Sequence, residues 1–307
     1  KELIPLLGLD EKSPVKIELA FGGARSLVRF ATIADRKFAL RAYPVSRRAE
    51  AISHRDASAL LSCHGILVPT ILHYFDNPRN YGAVFLVEEF VDGIEKSGDA
   101  LQPDDIRQIA TELARLHSIH SSQWGPFDAL RSGEMGTTLF TRIKRQISQL
   151  RRAGALTGSQ DAVKLIDWFQ HWVPALNSLP HYSLTHGKIR PGNGLFLPDG
   201  RFCLLDTATL EWGIGARDVA KLFRKVFLDD KAKAEFFLAA YLPGLEDSDR
   251  TLFHHFQTFF ELHTSVTDLA MKSERLDRYS HEWDATRLPD VQEQIANLLK
   301  SLPNLPV

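Results

Sequence analysis

The residues of this chain that could do chemistry are concentrated in one stretch, YSLTHGKIRPGNGLF, at positions 182–196. It places a histidine, a lysine and an asparagine among glycines and a proline, and a lone aspartate follows at the end of the apolar run RFCLLD. The stretch has the form of a phosphate-transfer loop, whose task is to neutralise phosphoryl charge and to align two reacting oxygens. Lys188 stands two positions after the histidine, and a charged lysine has hydrogen-bond donors but no acceptor.

Strand patterns fill the first ninety or so residues. The segments KIELA, SLVRFATI, RKFALRAY, TILHYF and AVFLVEEF are typical of strands, and a short turn at Ala34 and Asp35 predicts a hairpin between the second and the third. The segment SRRAEAISHRDASALLSCHG predicts a helix, with Ser46 capping its start and Gly65 following its end.

Helical periodicity begins after residue 92. The segment LQPDDIRQIATELARLHSIH has Pro103 in its first turn and apolar residues at helical spacing. Further helices are predicted at 137–153, 161–172, 217–228, 230–241, 247–272 and 289–300. Two short strands are expected around the turn PDG. The pattern indicates an α+β fold with a small β-rich N-terminal lobe at 1–92 and a larger helical C-terminal lobe at 93–307.

The order of elements and the motif spacing resemble the aminoglycoside phosphotransferase and choline kinase group of protein-kinase-like enzymes. The group's typical run H-G-D-x-x-P-G-N is matched by HGKIRPGN except at its third position. Asp206 stands 20 positions after His186, and Asp218 follows 12 positions later, as in the group. The segments GGARSLVRF, FALRAY, LVEEFVDG and LARLHSIH extend the similarity over nearly the whole chain. The resemblance implies a bilobal protein-kinase-like fold that binds ATP and Mg²⁺.

The resemblance also assigns the metal and phosphate contacts. Asn193 and Asp206 would be the metal ligands, since an amide oxygen and a carboxylate suit a hard cation such as Mg²⁺. Gly22 and Gly23 would form the loop over the phosphates, because glycines let backbone N–H groups approach an anion closely.

The remaining nucleotide contacts come from the first ninety or so residues. Arg41 stands where kinases carry the lysine that binds the phosphates, and Asp56 stands where the helix carries the acidic partner of that lysine. An Arg41–Asp56 ion pair is therefore expected. The hinge between the lobes would hold an adenine through residues Glu89, Phe90 and Val91.

The lysine in the loop departs from the group. Lys188 takes the general-base position, but a charged lysine has three donors and no acceptor. Its pKa would have to fall from about 10.4 to near neutral for it to act as a base, and Asp206 and phosphates nearby favour the charged form. Ala208 stands where the group often has a second acid. His186 and Asp218 are expected to order the loop rather than to do chemistry.

We therefore expect a kinase-fold protein that binds a nucleotide and whose phosphotransferase activity is absent or atypical. One alternative is an active ATP-dependent phosphotransferase that acts on a hydroxyl group and tolerates Lys188. Another is a different transfer chemistry on the same fold, such as nucleotidyl transfer. Three roles stay open for Lys188: it pairs with Asp206 and competes with the metal, it holds the γ-phosphate without turnover, or it stabilises developing phosphoryl charge.

Composition narrows the partners. The chain of 307 residues has a formal net charge of −1 and is 44% hydrophobic, so nothing predicts a nucleic-acid or membrane partner. No apolar run has the length of a transmembrane helix. The two cysteines lack metal-type spacing, which favours a reducing compartment and a cytoplasmic location. The twelve histidines form no zinc-ligand pattern along the sequence.

The acceptor or protein partner is not identified by the sequence. By the resemblance, C-terminal helices would wall the acceptor pocket, and the candidates are Phe256, Phe260, Glu261 and Trp283. No acidic cluster predicts a polycationic antibiotic. The basic run TRIKRQISQLRRA forms one helical face, which is interpreted as solvated, with a docking patch for an anionic partner as the alternative. The residues of this face are Arg142, Arg145, Gln149 and Arg152.

Overall fold

The computed structural model of the protein describes residues 3–10, 12–19, 26–76, 82–278 and 287–303. Its N-terminal part is a five-stranded antiparallel sheet with the order β1-β2-β3-β5-β4. The strands are β1 (Val15–Leu19), β2 (Leu27–Ile33), β3 (Arg36–Pro44), β4 (Ile71–Asp76) and β5 (Ala83–Glu89). The predicted phosphate loop at Gly22 and Gly23 lies outside the described residues.

The predicted hairpin between β2 and β3 is confirmed. Ala34 and Asp35 have φ angles of 47° and 63°, the left-handed conformations that match the twist of a two-residue hairpin. The predicted cap at Ser46 is wrong. A short 3-10 turn occupies 45–47, and the helix begins at Arg48 with no side-chain cap.

Helix α2 (Arg48–Cys63) joins the sheet to the rest of the molecule. Ala51 packs with residues of the sheet, whereas Ala57 and Leu61 belong to the large hydrophobic core of the helical part. The hydroxyl groups of Ser58 and Thr207 are hydrogen-bonded at 3.0 Å. The helix is therefore held to both parts of the fold by its buried face.

The C-terminal part is mainly helical. Its helices are α3 (Pro103–His117), α4 (Met135–Arg152), α5 (Ser159–His171), α6 (Val173–Asn177), α7 (Ala216–Lys225), α8 (Lys231–Tyr241), α9 (Asp247–Arg278) and α10 (Arg287–Lys300), after α1 (Leu3–Leu6) at the start of the chain. All six helices that the sequence predicted after α3 are present, with ends shifted by a few residues. In the described part of the chain, no helix is long and apolar enough to cross a membrane.

Two small sheets carry the loop at 186–193. The first has the order β6-β8-β11-β7, and the second pairs β9 with β10 around the predicted turn PDG. Their strands are β6 (His120–Ser121), β7 (Gly125–Pro126), β8 (Tyr182–Thr185), β9 (Gly194–Phe196), β10 (Phe202–Leu204) and β11 (Glu211–Gly213). Thr185 pairs with Glu211, so the loop leaves β8 beside the start of β11.

Apolar side chains of α3 to α9 form the main core, and aromatic rings fill much of it. Cys203 is completely buried in β10, where burial raises the pKa of its thiol to about 12, so it is the buried small hydrophobe that the sequence predicted. A β-rich N-terminal part followed by a helical C-terminal part confirms the α+β class.

Candidate active site

A buried carboxylate holds the backbone of the loop. The N–H groups of His186 and Gly187 donate to the two oxygens of Asp218, at 2.5 Å and 3.0 Å. Asp218 lies in the first turn of α7 and is fully buried. The ring of His186 is also fully buried, and its Nε2–H donates to the carbonyl oxygen of Leu205 at 2.7 Å. These bonds join the first residues of the loop to α7 and to Leu205, the residue after β10.

Polar side chains surround Asp218 and keep it ionised. Burial alone would raise the pKa of Asp218, but the hydrogen bond from His117, with the positive charges nearby, holds that pKa well below its ordinary value. His117 in turn is hydrogen-bonded to the hydroxyl of Tyr241 at 2.6 Å. Lys221 donates to the carbonyl oxygen of Gly187 at 2.5 Å. Loop geometry thus depends on helices α3, α7 and α8.

Lys188 forms an ion pair with Asp206, one of the two predicted metal ligands. Its ammonium group donates a hydrogen bond to Oδ2 of Asp206, and both side chains are partly exposed, at 31% and 21%. Burial would raise the pKa of Asp206, but the hydrogen bond and charge of Lys188, followed by the charge of Arg41, keep that pKa below its ordinary value. The pair has the geometry of the first role that the sequence left open for Lys188.

Asp206 and Asn193 are the oxygen donors that could hold Mg²⁺. Asp206 has φ 59° and ψ 44°, a left-handed conformation uncommon for a residue with a side chain. The amide oxygen of Asn193 accepts from Nε of Arg190 at 3.3 Å, and its amide nitrogen donates to the carbonyl of Lys188 at 2.8 Å. The donor set suits a hard cation in kind. In this structure Oδ2 of Asp206 and the amide oxygen of Asn193 both accept from cationic side chains, so a metal ion at Oδ2 would displace Lys188.

The acidic partner of Arg41 is a strand residue. Nε of Arg41 donates to Oε1 of Glu88 at 2.8 Å, and the side chains are 16% and 4% exposed. Leu86 is the register partner of Arg41, so Glu88 is its diagonal neighbour on the same face of the sheet. Burial would lower the pKa of Arg41, but the charge and hydrogen bond of Glu88 raise it above its ordinary value.

The predicted Arg41–Asp56 pair is therefore wrong. Asp56 is exposed, and its carboxylate accepts from Nε of Arg55 at 2.8 Å. The buried face of α2 carries His54, Ala57 and Ser58, and a residue two positions from His54 points about 200° away on a helix. The sequence argument placed the acidic partner of Arg41 on helix α2, whereas the structure places it on strand β5.

His54 takes the place on α2 that faces the ion pair. Its Nδ1 is hydrogen-bonded to the hydroxyl of Tyr43 at 2.9 Å and lies 3.9 Å from Oε1 of Glu88. Burial lowers the pKa of His54 to about 4, so the ring is neutral at pH 7. Arg41 also donates to the hydroxyl of Ser26 at 3.2 Å. The sequence offered no signal for Glu88 beyond its position in the hinge segment.

The hinge segment follows β5. The N–H of Glu89 donates to the carbonyl of Thr70 at 2.8 Å, so this donor is already engaged. The ring of Phe90 contacts the ring of Phe30, with centroids 5.3 Å apart, and the ammonium of Lys37 lies 3.9 Å from its centroid. Val91 is half-buried. Adenine binding by this segment stays a prediction.

The acceptor candidates divide among different places. Phe260 lines a pocket beside β11 and α7. Phe256 is buried in the aromatic core, where its ring packs against Trp172. Glu261 is half-buried and accepts from Gln257 at 2.9 Å, and burial raises its pKa. Trp283 lies outside the described residues.

One polar cluster has no signal in the sequence because its members are far apart in the chain. The ligand atoms of His120, His181 and Asp249 lie within 4.8 Å of one another. Both imidazole rings are hydrogen-bonded to the carboxylate, at 2.9 Å and 2.8 Å. The cluster joins the sheet β6-β8-β11-β7 to the first turn of α9. The histidine spacing along the sequence predicted no such set.

The family is decided by sequence. The model of the phosphotransferase enzyme family, APH, matches residues 16–254, from β1 into α9. The chain belongs to the phosphotransferase enzyme family. The APH match includes the loop with Lys188, Asn193 and Asp206, as well as Arg41 and Glu88. The search of curated proteins found no match.

Solved structures agree with the APH fold. A putative fructosamine-3-kinase from Haemophilus somnus has a TM-score of 0.64 and 16% identity, over 97% of this chain and 96% of that one. Choline kinase LicA from Streptococcus pneumoniae has a TM-score of 0.61 and 14% identity, over 98% and 97%. A spectinomycin phosphotransferase solved with ADP and spectinomycin has the same TM-score, identity and coverage as LicA. These similarities confirm the α+β, protein-kinase-like fold.

Replacing Glu88 tests which acid partners Arg41. Glu88→Gln leaves the Arg41 guanidinium buried without a countercharge, and breaking such a pair typically costs about 3–5 kcal/mol of unfolding free energy. Asp56→Asn, on the exposed face of α2, should stay within about 0.5 kcal/mol of the parent. Urea unfolding of the three proteins measures both. Equal effects of the two substitutions would contradict the assigned pair.

The buried His54 makes stability depend on pH. Its pKa is about 4 in the fold and about 6.5 in an unfolded chain, so the unfolded state binds more protons between these values. The free energy of unfolding should therefore fall as pH falls from 6.5 to 4, by at most about 1.4 kcal/mol per pH unit for this one group. His54→Gln should reduce this slope, and His64→Gln, on the exposed end of α2, should not. Urea unfolding across this pH range gives the change of the unfolding free energy with pH. Identical slopes for the parent and His54→Gln would contradict the assignment of this pH dependence to His54.

Proposed function

We propose that this protein binds a nucleoside triphosphate between its N-terminal sheet and the loop at 186–193, and that its phosphotransferase activity is absent or atypical. The observation that carries the proposal is the contact between Lys188 and Asp206. It puts a fixed positive charge where the family would place a metal ion. The spectinomycin phosphotransferase of the same fold was solved with ADP, which supports a nucleotide in this cleft.

The charges around the cleft suit a triphosphate. Arg41 comes from β3, Lys188 comes from the loop, and the charge of Asp206 acts on the pKa of Arg41 as well as pairing with Lys188. A guanidinium can hold two phosphate oxygens, and an ammonium acts as a compact point charge. Bound phosphates would therefore meet cations from both parts of the fold.

Phosphoryl transfer itself depends on positioning and on charge neutralisation more than on covalent chemistry. Lys188 carries no lone pair while it is charged, so it cannot take the proton of an attacking hydroxyl group. A general base contributes about 10²- to 10⁴-fold to a typical rate. We therefore expect binding to survive and turnover to be slow.

Mg²⁺ would be held by Asn193 and Asp206, and it would supply further charge neutralisation at the phosphates. Their oxygens accept from Arg190 and Lys188 in this structure, so the chain's own cations already fill part of that role. The ion and Lys188 compete for Asp206 in this proposal.

A second candidate is an active small-molecule phosphotransferase with a hydroxyl acceptor. The observation that favours it is the presence of both oxygen donors: Asn193 ends the loop whose first residues are held by Asp218, and Asp206 follows β10. In that case the acceptor hydroxyl would lose its proton to water rather than to a side chain of the loop.

Removing Lys188 should change the metal dependence of nucleotide binding. We expect ATP to raise the Tm of the parent without Mg²⁺, because Lys188 supplies the charge, and to raise the Tm of Lys188→Ala only when Mg²⁺ is present. Thermal-shift titrations with ATP, with and without Mg²⁺, measure both. Lys231→Ala, an exposed lysine at the start of α8, is the matched control and should behave as the parent.

Two results of these titrations would overturn the proposal. An ATP-induced shift that needs Mg²⁺ equally in the parent and in Lys188→Ala would show that Lys188 does not replace the ion. No shift in either protein under any condition would show that the cleft does not bind a nucleotide.

Restoring an aspartate in the loop should restore turnover. Lys188→Asp supplies a proton acceptor and frees Asp206, so we expect ATP hydrolysis with Mg²⁺ to rise by about 10²-fold or more. Lys188→Asn introduces a side chain of the size of aspartate without a carboxylate. It separates the effect of a new proton acceptor from the effect of removing the lysine. A phosphate-release assay follows the rate. Equal rates for the aspartate and asparagine variants would exclude the missing base as the cause of slow turnover.

A further inference from the structure

A pocket that opens to solvent lies beside the loop that carries Lys188. It is bounded by β7, β11, α4, α7 and α9. The lining residues that matter here are three arginines, one glutamate and two aromatic residues: Arg131, Arg142, Arg217, Glu211, Trp212 and Phe260. Cationic and aromatic side chains therefore face one space.

Glu211, a residue of the pocket lining, lies beside the loop that carries Lys188. A Cβ atom on Gly187 would lie 2.9 Å from Oε1 of Glu211, so the Glu211 carboxylate touches the residue directly before Lys188. Glu211 also pairs through its backbone with Thr185, the last residue of β8. A molecule in the pocket would therefore have one end next to the place proposed for the transferred phosphate.

Positive charge exceeds negative charge in the pocket. Glu211 is the acid of the lining, and its carboxylate is already paired with the guanidinium of Arg217. Within the described residues, Arg131 and Arg142 have no carboxylate within ion-pairing distance. Both are exposed toward solvent, and the guanidinium of Arg131 lies 5.3 Å from the centroid of the Trp124 ring. Two guanidinium groups at the pocket thus have no ion-pair partner among the described residues.

Partial burial and neighbouring charges act on two groups near the pocket. Partial burial, and then the charges of Arg217 and Arg131, lower the pKa of Arg142, although the charge of Glu211 raises it. Burial, and then Arg217, Lys221 and Arg142, lower the pKa of His263 to about 3, so this ring supplies no charge of its own at pH 7. Nε of Arg217 is buried and has no hydrogen-bond partner in the described part of the chain. An oxyanion would neutralise the excess charge.

We propose that this pocket binds a small hydroxyl-bearing oxyanion, a sugar acid or sugar phosphate, as the second ligand beside the nucleotide. Arg131 and Arg142 would hold the oxyanion, because guanidinium groups bind carboxylate and phosphate with two hydrogen bonds. Trp212 and Phe260 would pack against the carbon skeleton. A polycationic aminoglycoside or a quaternary ammonium compound would meet like charge here. The inference rests on the proposed function, since it names the ligand class of the same site.

Calorimetric titration with defined probes tests this inference. Gluconate and glucose 6-phosphate carry hydroxyl groups and an oxyanion, glucose is their neutral counterpart, and kanamycin and choline are cations. We expect at least one of the two anions to bind the parent in the presence of ATP, and the neutral and cationic probes not to bind. Arg142→Gln and Arg131→Gln should each weaken anion binding by about tenfold or more. Arg145→Gln, an exposed arginine on the same helix outside the pocket lining, is the control and should not weaken it.

Three outcomes would overturn the inference. The first is binding of kanamycin or choline with neither anion bound. The second is binding of no probe at millimolar concentration. The third is anion binding that ATP or Lys188→Ala abolishes but Arg142→Gln leaves intact, since the anion would then occupy the phosphate site.

Failure of the proposed function gives a different result. ATP titrations on the same proteins report the nucleotide site, and Arg142→Gln should keep the ATP-induced rise in Tm. If ATP binds normally and the anions do not bind, the ligand class is wrong and the nucleotide proposal stands. If ATP never binds while anion binding depends on Arg142, the nucleotide proposal fails and the charge preference of the pocket stands.

Discussion

The candidate site depends on the hydrogen bonds that a buried carboxylate accepts from the loop. Asp218 takes the N–H groups of His186 and Gly187, which fixes where Lys188 begins. A buried carboxylate is tolerated only when hydrogen bonds and positive charge compensate the loss of water. His117 provides that compensation from α3, and Lys221 provides it from the next turn of α7 itself. The position of the loop is therefore a property of the whole helical part, because its anchor needs partners from several elements.

Two ion pairs, one of them made by the loop, set the charges of the candidate site. Lys188 contacts Asp206, and Arg41 contacts Glu88, so two cation–carboxylate pairs face the cleft. A charged lysine or arginine has hydrogen-bond donors and no acceptor. In the proposed function, these two cations hold phosphate oxygens and Lys188 does not accept a proton.

The pocket next to β11 carries more positive than negative side chains. Glu211 pairs with Arg217 and touches Gly187, which connects the pocket next to β11 with the loop. Arg131 and Arg142 add charge that no described carboxylate neutralises. The basic face predicted from TRIKRQISQLRRA is thus divided by the fold, since Arg142 lines the pocket and Arg145 lies outside its lining. Helical spacing placed these arginines on one face of α4, but it could not show what α7 and β11 bring beside them.

The sequence alone predicts the class of the fold, most of the helices, the β2–β3 hairpin and the loop that contains Lys188. These follow from local patterns: apolar period, turn residues and motif spacing each act over a few residues. Tertiary structure decided the partners of the charged side chains. Glu88 pairs with Arg41 because the register of β3 and β5 makes them diagonal neighbours, whereas the packing of α2 leaves Asp56 exposed. Strands of two to four residues such as β6 and β8 are too short to show a period. His120, His181 and Asp249 meet only because the small sheet lies against α9. Contacts between residues far apart in sequence depend on how the elements pack, and no local pattern carries that information.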